Sequence, residues 1–183
     1  MRLATPLLTD RLILRTLTVA DATDRYLGWM RDPEATRFLE SRLVDHDLGS
    51  LRDFIVSCND SPASLLLGIC LRDRAHIGNI KLGPIDPYHQ HAPIGLLIGE
   101  RDMWGKGYAT EAITALTAHA FREIGLQKLY AGCYASNVGS ARAFRKAGWV
   151  EEGRNRAHWR RDGGRDDNIQ LGITRADWSA SHS

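Results

Sequence analysis

The chain has 183 residues, of which 43% are hydrophobic and 25% are charged, and its net charge is +2 at pH 7. This size fits one domain with a sizeable core, and the near balance of charge argues against a dedicated nucleic-acid binder, which usually has a strongly basic face. No apolar run reaches the ~18 residues of a membrane span, and the N-terminus is too soon charged for a signal peptide. We therefore expect a single domain over residues 1–183, located in the cytoplasm, with no membrane or nucleic-acid partner.

The three cysteines, Cys58, Cys70 and Cys133, are odd in number and include no C-x-x-C pair. They indicate neither a disulfide framework nor a zinc site, and we expect no metal. We interpret them as buried thiols in a reducing compartment. A covalent acyl-cysteine mechanism is the alternative.

Apolar periodicity, turn residues and capping residues divide the chain into short predicted elements. No repeat, low-complexity segment or linker interrupts them. In chain order the predicted elements are a strand at 11–15, helices beginning near 18, 33 and 48, strands at 64–71, 76–82 and 94–100, a helix from the 104–112 stretch to about 124, a strand at 128–134, a helix from 137 or 140 to about 147, and a hairpin between 149 and 173.

Several of these boundaries depend on particular side chains. Thr18 and Asp21 form a capping box ahead of an apolar helix face. Asp32-Pro33 has the proline of a helix start, and that helix is expected to reach about Leu39. The last hairpin is expected to turn at 162–164, and residues 176–183 have the composition of a fraying end.

The stretch from Trp104 to Ala112, W-G-K-G-Y-A-T-E-A, lies between the predicted strand 94–100 and a predicted helix. The first turn of a helix carries unpaired backbone N–H groups and about half a positive charge. Glycines lack the Cβ that would keep a ligand away from those groups. The stretch therefore predicts a phosphate or pyrophosphate site, to which Lys106 adds a full charge.

The two most familiar nucleotide motifs do not match this stretch. A P-loop requires glycine where Glu100 stands and Ser or Thr where Gly107 stands. The dinucleotide fingerprint requires a glycine at Thr110 and an early strand–helix–strand unit. The phosphate ligand must therefore be bound by a different type of loop.

The stretch resembles the pyrophosphate loop of the GNAT family of acetyl-CoA-dependent N-acetyltransferases, roughly [QR]-x-x-G-x-[GA], except that Trp104 replaces Gln or Arg. A second block, residues 137–149, resembles the family segment N-x-x-[SA]-x-x-x-[YF]-x-K-x-G-[FW]. With the start at residues 9–15, the resemblance covers nearly the whole chain. The variant W-G-x-G-[YL]-[AM]-T-E-A is similar to the branch of ribosomal-protein N-acetyltransferases, the Rim-like branch.

The resemblance implies an α/β (α+β) fold with a mixed, mostly antiparallel central sheet of about six to seven strands and helices on both faces. Two parallel strands, 94–100 and 128–134, would diverge at their carboxyl ends, joined by a right-handed crossover. Acetyl-CoA, the implied co-substrate, would lie between them. The implied cofactor-binding residues are Leu97, Ile98, Gly99, Trp104, Gly105, Lys106, Gly107, Tyr108, Ala109, Thr110, Asn137, Ser140, Phe144 and Lys146.

The implied reaction is direct attack of a primary amine on the thioester in a ternary complex. Backbone N–H groups near 97–99 would face the thioester carbonyl. An amine with a pKa of about 8 to 10 is largely protonated at pH 7, so a base is required. Glu100 is the first candidate, with His76, His91 and Asp166 in reserve and a surface role as the alternative for each.

The leaving thiolate also requires a proton, or must leave unassisted. Many family members have a Tyr where this chain has Phe144, which cannot donate. Ser140 is the first candidate donor, with an N-cap or first-turn role as its alternative, and Tyr134 is the second. Asn137 is expected to bind the pantetheine amides or to cap a helix.

The helical region between the first two long strands is implied to form one wall of the acceptor site. Its candidate contacts are Tyr26, Trp29, Arg37, Phe38 and Arg42, with His76 and His91 nearby; for the aromatic residues, ordinary helix-to-sheet packing is the alternative. The acceptor is either a protein N-terminal amine or a small amine such as a nucleotide-linked amino sugar. A non-catalytic acyl-CoA-binding module and an RNA-associated protein remain open, as does a monomer or homodimer. The C-terminal part of the chain is rich in arginine, and we interpret these side chains as ion-paired or as contacts to an acidic acceptor. They are Arg154, Arg156, Arg160, Arg161 and Arg165.

Overall fold

A computed structural model of the chain describes residues 1–161 and 163–181. Its strands are β1 (Leu7–Leu8), β2 (Leu12–Thr16), β3 (Leu65–Leu71), β4 (His76–Leu82), β5 (His91–Ile98), β6 (Lys128–Tyr134), β7 (Val150–Arg161) and β8 (Gly164–Thr174). Its α-helices are α1 (Asp24–Arg31), α2 (Pro33–Thr36), α3 (Leu48–Asp60), α4 (Tyr108–Arg122), α5 (Val138–Lys146) and α6 (Arg175–Ala180).

These strands form one sheet in the order β1-β2-β3-β4-β5-β6-β8-β7. β5 and β6 run parallel with α4 between them in the chain, and each other neighbouring pair in that order is antiparallel. The predicted mixed, mostly antiparallel sheet is confirmed. The two-residue β1, which the sequence did not indicate, brings the number of strands to eight.

Helices pack on both faces of this sheet, as predicted. One buried cluster joins α4, α5 and α6 to the sheet and includes Ile113, Phe121 and Phe144. A second cluster joins α1 and α3 to the sheet and includes Trp29 and Ile55. The sheet therefore carries its helices as two separate layers, and the end of the β5–β6 pair lies between them.

The first helices differ from the prediction. The Thr18–Asp21 capping box exists, but it caps only a single 3₁₀ turn. α1 begins later, where the Thr23 side chain accepts a hydrogen bond from the Tyr26 amide. α2 ends at Thr36 and does not reach Leu39, because the chain turns there and Leu39 adopts an extended backbone.

The expectation of a fraying C-terminus, made for residues 176–183, is wrong for residues 176–180, which belong to α6. Thr174 caps α6 through the Asp177 amide, and Trp178 is buried against Phe121 with ring centroids 5.7 Å apart. The aromatic anchor holds the segment against α4. Of the predicted hairpin turn at 162–164, residue 162 lies outside the described residues, as do 182 and 183 of the expected fraying end.

No helix within residues 1–161 and 163–181 is long and apolar enough to cross a lipid bilayer.

Candidate active site

β5 and β6 separate after three residues. The parallel ladder joins residues 91–93 to 128–130. Beyond it, β5 continues to pair with β4, and β6 continues to pair with β8. The two strands therefore leave a slot that opens toward their carboxyl ends.

Main-chain groups of β5 line one side of this slot. The Gly99 amide donates to the Ile77 carbonyl of β4 at 2.9 Å. Because the hydrogen-bonded side alternates along an antiparallel strand, the odd-numbered residues of β5, including Leu97, face β4. This corrects the expected donors near 97–99, since only the amide of Ile98 faces the slot. The residues whose amides and carbonyls face it are Ile94, Leu96 and Ile98.

Gly99 is small for a reason that the sequence did not reveal. A Cβ built on it would lie 2.1 Å from the ring of Trp29. The space beside Gly99, an implied cofactor-binding residue, is therefore filled by Trp29 of α1. The close approach brings the acceptor-side helix directly onto the end of β5.

The loop before α4 presents an uncapped helix N-terminus. Gly107, the N-cap, has φ +85° and makes no side-chain cap, and Gly105 has φ +74°. Both are left-handed conformations that favour glycine. A 15-residue helix thus begins with backbone N–H groups free for an anion, and Lys106 is exposed beside them.

A clamp formed by Thr9 and Arg11 holds this loop, and no local sequence pattern predicted it. The Arg11 guanidinium donates to the Lys106 carbonyl at 2.9 Å and to Glu111 of α4 at 2.7 Å. Glu111 also accepts from the Thr9 hydroxyl at 2.6 Å and the Arg11 amide at 2.9 Å. Burial raises the pKa of Glu111, but these donors outweigh burial and lower it on balance. The charged Glu111 therefore fixes the first turn of α4.

Trp104 replaces the family's Gln or Arg and has a structural contact of its own. Its indole N–H donates to the Ile98 carbonyl at 2.7 Å, although the side chain is more than one-third exposed. Since the Ile98 carbonyl faces the slot, Trp104 lies at the slot's rim. Next to it along the chain is the phosphate loop.

The second motif block lies on α5. The Asn137 side chain caps the helix by accepting from the Ser140 amide at 3.1 Å, so the capping alternative describes this contact. Ser140 is half-buried on the first turn, and Lys146 is exposed on the last. Phe144 is buried in the core against Trp149, with ring centroids 4.7 Å apart. Thr110 ties the two blocks together through a 3.4 Å bond to the Ala143 carbonyl.

Glu100 follows β5 at the mouth of the slot. Its Oε1 accepts from the Trp29 indole N–H at 3.0 Å and lies 3.0 Å from Nε of Arg25. A hollow of about 450 Å³ surrounds this group. The carboxylate is therefore placed at the slot and held in one orientation from the α1 side.

The predicted histidines do not lie together. His76 packs between Tyr26 and Trp29, and its Nε2 lies 2.9 Å from the Gly78 carbonyl; burial, its largest influence, lowers the pKa of His76. His91 lies outside the predicted strand 94–100 but inside the observed strand. It begins β5 and stacks on His89 at the closed, paired end of the slot. Tyr26 is likewise a core residue, and burial raises its pKa to about 12.

An aromatic cluster closes around the end of β6. Tyr134 stacks on Trp159 with ring centroids 5.0 Å apart and lies 5.6 Å from Phe38. Its hydroxyl donates to Glu40, which lies in a 3₁₀ turn after α2. Burial, and then this hydrogen bond, raise the pKa of Tyr134. Trp159 and Glu40 were not expected, because no local pattern links residues so far apart in the chain.

The cluster lines a cavity of about 1120 Å³ between α2 and the β7–β8 hairpin. Arg42 and Arg161 place their guanidinium carbons 5.6 and 5.8 Å from the Tyr134 ring centroid. Arg37, a predicted acceptor contact, is also on the wall but forms an ion pair with Glu34 at 3.2 Å. Asp166, the reserve base, is bound to Ser136 instead.

A bulge in β7 brings the hairpin side chains to this cavity. The β7–β8 register shifts between Asn155 and Trp159, and Ala157 there has φ +52°. The Ala157 amide donates to Asp167 at 2.7 Å, and its carbonyl accepts from Arg165 at 2.6 Å. Bulges re-aim side chains, and this one is followed directly by the residues that reach Tyr134.

The slot, the uncapped helix and the cavity at the open end together define a coenzyme A-dependent acyltransferase. The acetyltransferase (GNAT) domain profile matches residues 11–150. An N-acetyltransferase named p20 from Bacillus licheniformis is 30% identical over 151 residues, which cover 80% of this chain and 83% of that protein. The chain belongs to the GNAT acetyltransferase family and is an acetyl-CoA-dependent acyltransferase.

Two solved structures share the fold. Spermidine N-acetyltransferase from Vibrio cholerae, in complex with CoA and spermine, aligns with a TM-score of 0.83 and 18% identity over 93% of this chain and 99% of its own. A Vibrio cholerae protein provisionally named a ribosomal-protein-serine acetyltransferase aligns with a TM-score of 0.74 and 21% identity over 95% and 99% of the two chains. At these identities both structures support the fold.

Proposed function

We propose that this enzyme moves the acetyl group of acetyl-CoA directly to a primary amine, with both substrates bound together. The observation that carries the proposal is the slot between β5 and β6. Its inner edge carries the main-chain groups of β5 that face away from β4, and its open end meets the phosphate loop, Glu100 and Tyr134. A thioester in that slot would be within reach of an amine from either side.

The residues present fit coenzyme A at three points. The free amides of the first turn of α4 suit a diphosphate. The slot-facing amide and carbonyl of Leu96, together with the Ile94 carbonyl, suit the two amides of a pantetheine arm, which need both donors and acceptors. The Ile98 amide lies where it would donate to the thioester oxygen as charge develops there.

The buried cysteines support direct attack and not an acyl-cysteine intermediate. All three are buried, and burial raises the pKa of Cys133 to about 11. A thiol must ionise to act as a nucleophile, and exposed, low-pKa thiols are the reactive ones. Direct attack by the amine is therefore the simpler route, because it requires no reactive cysteine.

We assign Glu100 as the base that takes a proton from the amine. We assign Ser140 as the donor that protonates the leaving thiolate. Glu100 is a carboxylate at the slot mouth with open space around it. Ser140 has a half-buried hydroxyl on the first turn of α5. Tyr134 is the weaker choice of donor, because its hydroxyl proton is committed to Glu40. Unassisted departure of the thiolate is the remaining route.

The test is to incubate the purified protein with acetyl-CoA and a panel of primary amines and to follow free thiol with a chromogenic reagent. We expect thiol release that depends on the amine, with the acetylated amine detected by mass spectrometry. The second candidate is a non-catalytic acyl-CoA-binding module, which the buried Phe144 in the usual Tyr position favours. Tight CoA binding without amine-dependent thiol release would support that candidate and reject ours.

The proton donor is tested by replacing each hydroxyl alone. Ser140→Ala should slow thiol release at saturating substrates, while Tyr134→Phe should leave it near wild type. Equal rates for Ser140→Ala and wild type would instead indicate unassisted departure. A loss confined to Tyr134→Phe would move the role to Tyr134.

A further inference from the structure

The charges around the cavity at the end of β6 do not balance. Its lining includes five arginines but three carboxylates. Resting on the proposed function, we propose that the acceptor amine carries an anionic group, a phosphate or carboxylate, which these guanidinium groups bind. The arginines on the wall are Arg31, Arg37, Arg42, Arg160 and Arg161.

Two of the three carboxylates are already engaged by the protein. The Asp47 side chain caps α3 by accepting from the Ser50 amide at 2.6 Å. Glu40 accepts the Tyr134 hydroxyl and lies 3.2 Å from Arg42. A polyamine entering the cavity would therefore find two of the three carboxylates on its wall already engaged, with Asp45 as the third.

The arginines, by contrast, are only partly neutralised. Arg31 donates twice to the carbonyl of His46, at 3.0 and 2.7 Å, so its charge has no anionic partner in that contact. Arg161 lies 3.8 Å from Asp166, at the limit of an ion pair. The Arg160 backbone pairs with β8, but its guanidinium forms no hydrogen bond or ion pair within residues 1–161 and 163–181. An anion entering here would gain charge-assisted hydrogen bonds, because the short hydrogen bonds of Arg31 and Arg161 go to the neutral oxygens of His46 and Ser136.

The cavity also has the size and walls for a compact molecule with a ring. Its volume of about 1120 Å³ is slightly larger than that of typical small-molecule sites, which are roughly 300–1,000 Å³. The Tyr134–Trp159 pair offers ring surfaces beside the guanidinium groups. The anionic group would be held on the arginine side while its amine reaches the slot.

Matched acceptors that differ in one anionic group test this proposal. Glucosamine and glucosamine 6-phosphate form the phosphate pair, 2-phenylethylamine and phenylalanine form the carboxylate pair, and spermidine is the cationic probe. We expect kcat/KM at least tenfold higher for an anionic member than for its partner, and a preference that shrinks as salt is raised. Neutral amines or spermidine accepted as well as the anionic members would overturn the proposal while leaving acetyl transfer intact.

Arginine variants locate the binding group. Arg160→Gln should lower kcat/KM for the preferred anionic acceptor about tenfold, the effect of losing one charge-assisted contact. The kcat/KM for the matched acceptor that lacks the anionic group should be unchanged, and so should the KM for acetyl-CoA. Arg2→Gln, which removes an exposed charge paired with Asp60, is the matched control and should change nothing. Unaltered discrimination in both Arg160→Gln and Arg42→Gln would reject the assignment to this wall.

A binding measurement keeps the two proposals separable. Calorimetric titration of glucosamine 6-phosphate and of phenylalanine into the CoA-saturated protein requires no turnover. If no amine releases thiol but an anionic probe binds and Arg160→Gln weakens it, the transferase proposal fails and the anion site stands. If neither probe binds more tightly than its neutral partner, the anion site fails whatever the enzyme does.

Discussion

Gly107 combines two properties at one position, a left-handed backbone and an open approach to the first amides of α4. Its φ is +85°, and a Cβ there would lie 3.4 Å from Nη2 of Arg11. We expect Gly107→Val to raise the Kd for CoA at least tenfold, because the side chain covers the amides and strains the turn. Isothermal titration calorimetry measures this directly.

Gly125 is the matched control for that variant. It lies just beyond the other end of α4 with φ +82° and open space around its Cβ position. Both valine variants are strained at a left-handed position, so each should lower the free energy of unfolding by about 1–2 kcal/mol. Gly125→Val should leave the Kd for CoA unchanged. Equal losses of CoA affinity in both variants would show that backbone strain alone, and not covering of the first amides of α4, explains the result.

Glu100 offers a second single-residue test. Glu100→Gln keeps an oxygen that accepts from the Trp29 indole but removes the charge that pairs with Arg25. We expect kcat to fall about 100-fold, as for loss of a general base, with the KM for acetyl-CoA unchanged. Asp102→Asn, in the same hollow, serves as the control. Wild-type kcat in Glu100→Gln would assign Glu100 to positioning Trp29 only.

The clamp from the β1–β2 turn to α4 determines how rigid the phosphate loop is. Arg11→Gln removes the guanidinium bonds to both Lys106 and Glu111. We expect the Kd for CoA to rise about three- to tenfold, because the loop must then be ordered on binding. Arg2→Gln is again the control. A Kd within error of wild type would mean that the loop holds its shape without the clamp.

Elements with a local signature were predictable, and contacts between distant elements were not. β6 was predicted at its observed bounds of Lys128–Tyr134, and Asn137 supplied the cap of α5. The partners Arg11–Glu111, Trp29–Glu100 and Glu40–Tyr134 are separated by 100, 71 and 94 residues. Periodicity and capping rules act within one element, so they cannot report which side chains meet across the sheet. The C-terminal helix was missed because its packing depends on one residue, Trp178.

One partly buried ion pair, Arg15–Asp21, makes the stability of the folded protein depend on pH. Burial raises the pKa of Asp21, but Arg15, at 2.6 Å, and Thr18 outweigh burial and lower it from 3.8 to about 2. The folded-state pKa is thus below the unfolded one. The stabilisation, about 2 kcal/mol, is fully present above pH ~5 and is lost as the pH falls toward 2.

The free energy of unfolding of Asp21→Asn should therefore be about 2 kcal/mol below that of wild type at pH 7. Between pH 5 and 2 it should fall by less than that of wild type. Urea unfolding at a series of pH values measures both quantities. Asp60→Asn, at an exposed pair with Arg2, provides the comparison and should follow wild type. Parallel acid profiles for Asp21→Asn and wild type would contradict the assignment.

The position of Trp104 has a practical consequence for the study of this enzyme. Its indole lies at the rim of the cleft with its N–H fixed on the Ile98 carbonyl, whereas Trp149 and Trp178 are enclosed by the interior. Intrinsic fluorescence from Trp104 should therefore change in intensity when coenzyme A occupies the neighbouring loop. The protein carries its own optical reporter of cofactor occupancy, and stopped-flow traces from it would resolve the order in which the two substrates arrive.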